Sequence, residues 1–201
     1  MISLVMDTSN SYLAVGLYQD NMCLEALQEK GSRRQSEKAI PTLKELLDRH
    51  HIELKDVNEM IITSGPGSYT GVRVAMTIAK TLAAISDVKI KSVSSLAAYA
   101  GMKNAISVID ARGHKVFVGV YENGLPLIKE QVMSLEDFAQ LRAEYEDFEL
   151  VGEVGCLGLD EKECDLCDHI YTLGQMADPI DNVDLLVPTY IKDVEAKKAC
   201  Y

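Results

Sequence analysis

Three short runs of alternating apolar and polar residues open the chain, Ile2 to Met6, Leu13 to Tyr18 and Cys23 to Leu27, separated by the turn formers Asp7-Thr8-Ser9-Asn10 and Gln19-Asp20-Asn21. Side chains on a strand alternate between two faces, so the pattern predicts a β-meander. The period then changes. Between Ser36 and Arg49, Ile40, Leu43, Leu46 and Leu47 fall on one helical face, with Lys38, Lys44, Glu45 and Asp48 elsewhere, which predicts an amphipathic helix. A β-branched run at Met60-Ile61-Ile62-Thr63-Ser64 reads as a buried strand, followed by a helix from about Thr70 to Ile85 and a strand from Lys89 to Val93.

The scheme then restarts. Ile106 to Ile109, Lys115 to Tyr121 and Leu127 to Val132 read as strands, with turns at Asp110-Ala111-Arg112-Gly113 and Glu122-Asn123-Gly124. A helix opens at Ser134-Leu135-Glu136-Asp137, whose start has capping-box character, and runs to about Tyr145 before a strand at Phe148 to Val151. Two lobes are expected, 1–103 and 104–201, each β-β-β-α-β-α and the second reduced. An Asp at the tip of the first strand of each half, Asp7 and Asp110, fits an α/β fold of the actin-like or sugar-kinase-like class. In that class two acidic hairpins face each other around nucleotide phosphates. Hairpin N–H groups hold phosphate oxygens and the Asp orients a metal-bound water. Asp7, Thr8, Ser9 and Asp110 are therefore the candidate nucleotide contacts of a degenerate site; the competing reading is that both Asp residues merely end strands.

Between strand and helix lies Gly65-Pro66-Gly67-Ser68-Tyr69-Thr70-Gly71-Val72-Arg73. Its glycines permit either an anion or a neighbouring backbone to approach, and Thr70 is placed to cap the helix. No Gly-Lys-Ser/Thr closes the loop, so it is not a P-loop, and it is not a Gly-x-Gly-x-x-Gly fingerprint after a first strand. Along the helix Gly71, Ala75, Ala79 and Ala83 recur every fourth residue and form a ridge of small side chains. We expect that ridge, with Val72 and Met76 beside it, to pack against the helix carrying Ile40, Leu43 and Leu47 and against the equivalent helices of a second subunit.

Composition narrows the function. The 201 residues carry a net charge of −11, which disfavours unaided binding to a phosphate backbone. The opening apolar run reaches Asp7 after six residues, too short for a signal core or a membrane span, so a cytoplasmic location is expected. Five cysteines at irregular spacing suit a reducing compartment. Cys164-Asp165-Leu166-Cys167-Asp168-His169, with Cys156, is the one ligand-like cluster, but it lacks a second C-x-x-C and reads as a solvated acidic loop. Val151-Gly152-Glu153-Val154-Gly155 is a weak candidate for a late glycine-rich adenosine loop.

Met6-Asp7-Thr8-Ser9, the glycine loop with its Val72-Arg73 tail, Val93-Ser94-Ser95-Leu96-Ala97, Val108-Ile109-Asp110-Ala111-Arg112 and Pro188-Thr189-Tyr190 together resemble the TsaB (YeaZ) family, in order and over most of the chain. Lys192 departs from the family's usual Arg. The resemblance implies an actin-like (ASKHA) fold and a role in threonylcarbamoylation of the tRNA adenosine beside the anticodon, as a non-catalytic partner of the related enzyme TsaD. It further implies the TsaE ATPase as an indirect partner, a homodimer in isolation, no direct tRNA contact unaided, and no bound cofactor, with ATP or ADP held only weakly or at the complex interface. TsaD-type enzymes carry a His-x-x-x-His metal motif where this chain reads Val93-Ser94-Ser95-Leu96-Ala97-Ala98-Tyr99, and none of His50, His51, His114 and His169 stands at a spacing that replaces it. The other classes weighed are an independent ATP-dependent phosphotransferase, which would need Asp7, and a peptidase, for which no His-Glu-x-x-His motif is present.

Overall fold

The period-two runs become strands whose two faces feed different cores. In a computed structural model that describes residues 1–31 and 35–191, the first lobe comprises β1 (Ile2–Asp7), β2 (Tyr12–Gln19), β3 (Met22–Lys30), α1 (Gln35–Arg49), β4 (Glu59–Thr63), α2 (Tyr69–Ile85), β5 (Lys89–Val93) and α3 (Ser95–Ala100). The second comprises β6 (Ala105–Asp110), β7 (Lys115–Glu122), β8 (Leu125–Pro126), β9 (Gln131–Ser134), α4 (Leu135–Glu144), β10 (Glu149–Gly152) and α5 (Leu166–Met176). Lys192 and Cys200 lie outside the described residues.

Among the described residues the first sheet runs β3-β2-β1-β4-β5, a meander whose first strand also pairs in parallel with β4. The second repeats the winding: β7 joins β6 to β9, and β10 lies parallel to the free edge of β6. Leu4, Met6, Leu13, Val15, Leu17, Met60 and Ile62 point to one face of the first sheet, where Ala39, Leu43 and Leu46 of α1 and Val72, Ala75 and Ala79 of α2 cover them. Val5, Ala14, Tyr18 and Ile61 point to the other face and meet α3, α5 and the inner face of the second sheet. Ile106, Val108, Val116, Val118 and Val120 close a third core with Phe138 of α4. The order is helix, sheet, helix, sheet, helix, and every sheet face with a hydrophobic stripe is covered.

Several elements differ from expectation. Of the strand expected from Leu127 to Val132 only Gln131 and Val132 are in one, at the start of β9; β8 lies just before it, and both β8 and β9 pair with β7. Leu127 to Val132 lacks a clean alternation, and Ile128 packs with the outer core while Leu127 is exposed. The acidic segment expected to be a solvated loop instead launches α5, with the Asp165 side chain capping Asp168 N, and Leu166, Cys167, Ile170 and Leu173 fill the space between the sheets. The helix after the glycine loop is capped two residues earlier than expected, by Ser68, whose hydroxyl accepts from Gly71 N at 3.2 Å.

The small-residue row of α2 also faces inward. Gly71, Ala75 and Ala79 are buried against the first lobe's own strands, as are Val72, Met76 and Leu43, while Leu47 and Ala83 are half-buried. Small side chains there let the helix lie close to the sheet and to the turn after β1, so the ridge is spent inside the lobe. The outward row is Thr70, Val74, Thr77, Thr81 and Ala84. A Cβ at position 71 would overlap the Thr8 carbonyl oxygen, a backbone atom with no room to retreat. Gly71→Ala should therefore destabilise the protein by about 3 kcal/mol, whereas Thr77→Ala should stay within about 0.5 kcal/mol of the parent. Urea midpoints at constant m-value compare the two.

Candidate functional site

The tips of β1, β4, β6 and β10 and the start of α3 meet in the cleft between the lobes, where the class expects a nucleotide. Each hairpin begins with the same device: Ser9 N donates to Asp7 Oδ1 at 2.7 Å, and Arg112 N donates to Asp110 Oδ1 at 2.8 Å. Both are Asx turns, in which the side chain satisfies the backbone two residues on.

Their surroundings differ. Asp7 is 1% exposed and takes a second hydrogen bond from Thr63 Oγ1. Burial, the largest influence, raises its pKa, and the hydrogen bonds from Ser9 and Thr63 only partly offset this. Thr8 donates through Oγ1 to Gly71 O at 2.6 Å and accepts from Ala75 N at 3.1 Å. The hydroxyl thus touches both ends of the i, i−4 pair that defines one turn of α2. Ser9 O accepts from Ser68 N, and Ser9 Oγ accepts from Ser95 Oγ at 2.8 Å. The start of α2 is therefore occupied by the chain's own first turn. Asp110 is half-exposed, and its other oxygen lies 3.5 Å from the guanidinium of Arg112, a residue that points into solvent.

Four groups in the cleft escaped the sequence reading. Ser95, at the expected metal-motif position, is buried and holds Ser9. Thr63 holds Asp7. Glu153, in the segment considered as an adenosine loop, bridges the lobes: Oε1 accepts from Ser11 N at 3.2 Å and from Ser11 Oγ, and Oε2 accepts from Asp110 N at 3.1 Å. Tyr99 is buried, and its hydroxyl has no hydrogen-bond partner among the described residues. The only advance signal for Glu153 was a glutamate flanked by turn glycines at the end of a strand.

The histidines do not converge. His50 contacts Glu25 at 2.9 Å, His51 and His114 occupy turns with φ of +54° and +59°, and His169 Nδ1 lies 2.9 Å from Ala98 O and 3.5 Å from Cys164 Sγ. Cys167 faces Gly16 in the central core, while Cys156 packs with the outer core of the second lobe. Burial pushes the Cys164 thiol up to about 12 and that of Cys156 to about 11, so neither is a thiolate near neutrality. Among the described residues no three His, Cys, Asp or Glu side chains form a group able to hold a metal.

Two lobes of one winding, each with an Asp turn opening on a shared cleft, define the actin-like α/β class. The profile of the family described as "TsaD: tRNA N6-adenosine threonylcarbamoyltransferase" matches residues 28–151. The chain belongs to this family, on its TsaB (YeaZ) side. It is 29% identical to the Bacillus subtilis "tRNA threonylcarbamoyladenosine biosynthesis protein TsaB", covering 98% of this chain and 96% of that protein. With the Escherichia coli protein of the same name it shares 30% identity over 61% of this chain and 57% of that one. A solved Pseudomonas aeruginosa structure, described as an uncharacterized protein with similarity to peptidase YEAZ, superposes with a TM-score of 0.81 at 24% identity, covering 95% of this chain and 99% of that one, a likeness of fold.

The buried Asp7 carboxyl gives a pH signature. Because its folded pKa is raised, its favourable contribution is fully present below the ordinary Asp value of about 4 and is lost as pH rises through the folded value. Asp7→Asn, which keeps the acceptor for Ser9 and Thr63, should raise the melting temperature at pH 7. The advantage should shrink towards zero as the pH falls below about 4. Differential scanning calorimetry across that range checks the sign.

Proposed function

We propose that this chain is the non-catalytic partner of a TsaD-type enzyme in threonylcarbamoyl transfer to the tRNA adenosine beside the anticodon. The observation that carries the reading is the filled start of α2. Ser9 O takes Ser68 N, the Ser68 hydroxyl takes Gly71 N, and the Thr8 carbonyl lies against Gly71, so the approach an anion would use to the start of α2 is taken by the chain's own backbone. Ser94 and Ser95 at the place of the metal motif support the same conclusion, since hydroxyl groups engaged in a helix cap and with Ser9 are poor substitutes for imidazole ligands.

The face offered to the partner is the outward one of α1 and α2. Ile40 is 60% exposed, and the row Thr70, Val74, Thr77, Thr81 and Ala84 carries no charge, which lowers the desolvation needed to pack another helix pair on it. In isolation the same face pairs two copies of the chain, and the enzyme competes for it. The TsaE ATPase joins through the enzyme complex. With a net charge of −11, the chain leaves tRNA contact to its partners. Among the described residues no helix is long and apolar enough to cross a membrane. The proposed action on tRNA is what would put the assembly in the cytoplasm.

The test is reconstitution with the same organism's TsaD. Modification of the adenosine should require both proteins, and this chain alone should yield none. Ile40→Arg and Thr77→Trp, both on the outer surface, should each weaken capture of TsaD by about tenfold or more and shift the free chain towards monomer, with the melting temperature little changed. Unchanged capture and unchanged sedimentation by both variants would sink the interface; transfer by the chain alone would sink the assignment.

A further inference from the structure

Two motif pieces far apart in sequence meet beside the glycine loop, and the cleft uses neither. After α5 the chain returns along the first lobe: Lys80 Nζ donates to Asp184 O at 2.8 Å, Thr189 N donates to Ser64 O at 2.7 Å, and a Cβ added to Gly65 would lie 3.1 Å from Thr189 O. Tyr190 is thereby carried to the first turn of α2. There the Arg73 guanidinium carbon lies 3.5 Å from the centre of the Tyr69 ring and 5.6 Å from that of Tyr190, and the two rings are 6.1 Å apart at 28°. The cation rests on one ring with the other beside both, an arrangement that stabilises its charge through the aromatic faces. It does not satisfy the N–H groups, which lie in the guanidinium plane. Arg73 Nη1 is buried and has no hydrogen-bond partner among the described residues, whereas the rings stay open to solvent, Tyr69 by 67% and Tyr190 by 56%.

We propose that Arg73 is the anchor for a carboxylate side chain of the partner enzyme, with Tyr190 as the lid that turns aside to admit it. The proposal rests on the reading of the outer helices as the partner face and names the chemistry that face selects. An unmet N–H on a shielded cation is costly, and a carboxylate is the group whose two oxygens match a guanidinium edge. The surroundings choose its source. Beside Arg73 runs the uncharged row of Thr70, Val74 and Thr77, and on the returning segment Leu185 and Val187 are 74% and 67% exposed, so a helix pair packed there brings its acid into an apolar setting. In such a setting the charge pair discriminates strongly, because a partner without the acid leaves the cation enclosed and unpaired. A nucleic-acid backbone suits the place less well, since its many phosphates would meet one arginine on a chain of net charge −11. Tyrosine and arginine are also the residue types that carry most binding energy at interfaces, and three of them stand together here. Of the two rings, Tyr190 lies farther from the guanidinium while Tyr69 is built into α2, so Tyr190 is the one that yields.

Capture of the same organism's TsaD by the full chain tests it. Arg73→Met should weaken capture by about tenfold or more. Arg73→Lys keeps a charge without the planar fork and should recover only part of the loss; it also serves should the methionine variant fail to fold. Tyr190→Ala should capture as well as the parent or up to about threefold more tightly, because the opening step is removed; a loss as large as that of Arg73→Met overturns the lid. Arg73→Glu should capture least, and one acid-to-arginine substitution on the partner's contact face should restore it, which a merely structural arginine would not allow. Parent-like capture by the folded Arg73 variants, or the failure of every partner substitution to restore Arg73→Glu, overturns the anchor and leaves the outer-helix reading standing. No capture by the parent overturns both. Three other occupants also overturn it: a second copy of the chain, if Arg73→Met shifts self-association alone; the chain's own end, if Asp193→Asn with Glu195→Gln reproduces the loss; and a phosphate, if the free chain binds tRNA in an Arg73-dependent way.

Discussion

The docking of the first turn on the start of α2 is the constraint from which the rest of the first lobe follows. Thr8 places its carbonyl against the Cα of Gly71 and its hydroxyl between Gly71 O and Ala75 N, and Ser9 O takes Ser68 N. No side chain fits at position 71, and at position 67 a Cβ would overlap the Ser9 carbonyl. The glycines of the loop are therefore seats for a neighbouring backbone. With the helix start fixed to the strand tip, the direction of α2 is set. Its small row then closes on the sheet, and α1 packs beside it.

Much of this was legible in the residues. The switch from period two to period 3.6 after residue 35 places the first four strands and two helices, because each sheet face has its own apolar set and a slip of one residue would exchange them. The duplication was legible too, in Asp7 and Asp110 at strand tips. A further echo lies in Val15-Gly16-Leu17-Tyr18 and Val118-Gly119-Val120-Tyr121, where each tyrosine ring lies close over the glycine two residues before it on the same strand. What resisted were α3, α5 and the orientation of α2. Cys164 to His169 is acidic and short of large apolar residues until Ile170, so composition suggested solvent, yet a helix carrying Leu166, Cys167, Ile170 and Leu173 was needed to fill the gap between two sheets. A periodic small-residue row says that something packs closely against it. Whether that is the helix's own sheet or another subunit depends on which side the strand lies, and local sequence does not specify that.

The candidate site was legible in the same partial way. Asp7, Thr8, Ser9 and Asp110 do come together around one cleft, because the winding brings both first strands' tips to it. The partners that decide their roles, Thr63, Ser95 and Glu153, are distant in sequence and carry no motif of their own. Two identical Asx turns consequently acquire different chemistry: Asp7 is sealed under the clasp with a raised pKa, and Asp110 stays half-open beside an exposed arginine.

Those two environments are joined mechanically. Ser9 is held by Ser68 and Ser95, Ser11 two residues on is held by Glu153, and Glu153 in turn holds Asp110, so hydrogen bonds, joined by the short backbone between Ser9 and Ser11, link the start of α2 to the second lobe. The outer face of α2 and the cleft are thus two sides of one helix end. A body pressed against Thr70, Val74 and Thr77 would meet a helix whose first turn is pinned by Thr8, and any tilt would have to be taken up by the clasp or by the Glu153 bridge. Of the two, the bridge is the softer element: its bonds are made by one side chain among half-exposed residues, while the clasp joins buried residues, with the Thr8 and Ser9 carbonyls filling the space against Gly71 and Gly67. Strain applied at the outer helices would accordingly appear first as a change between the lobes.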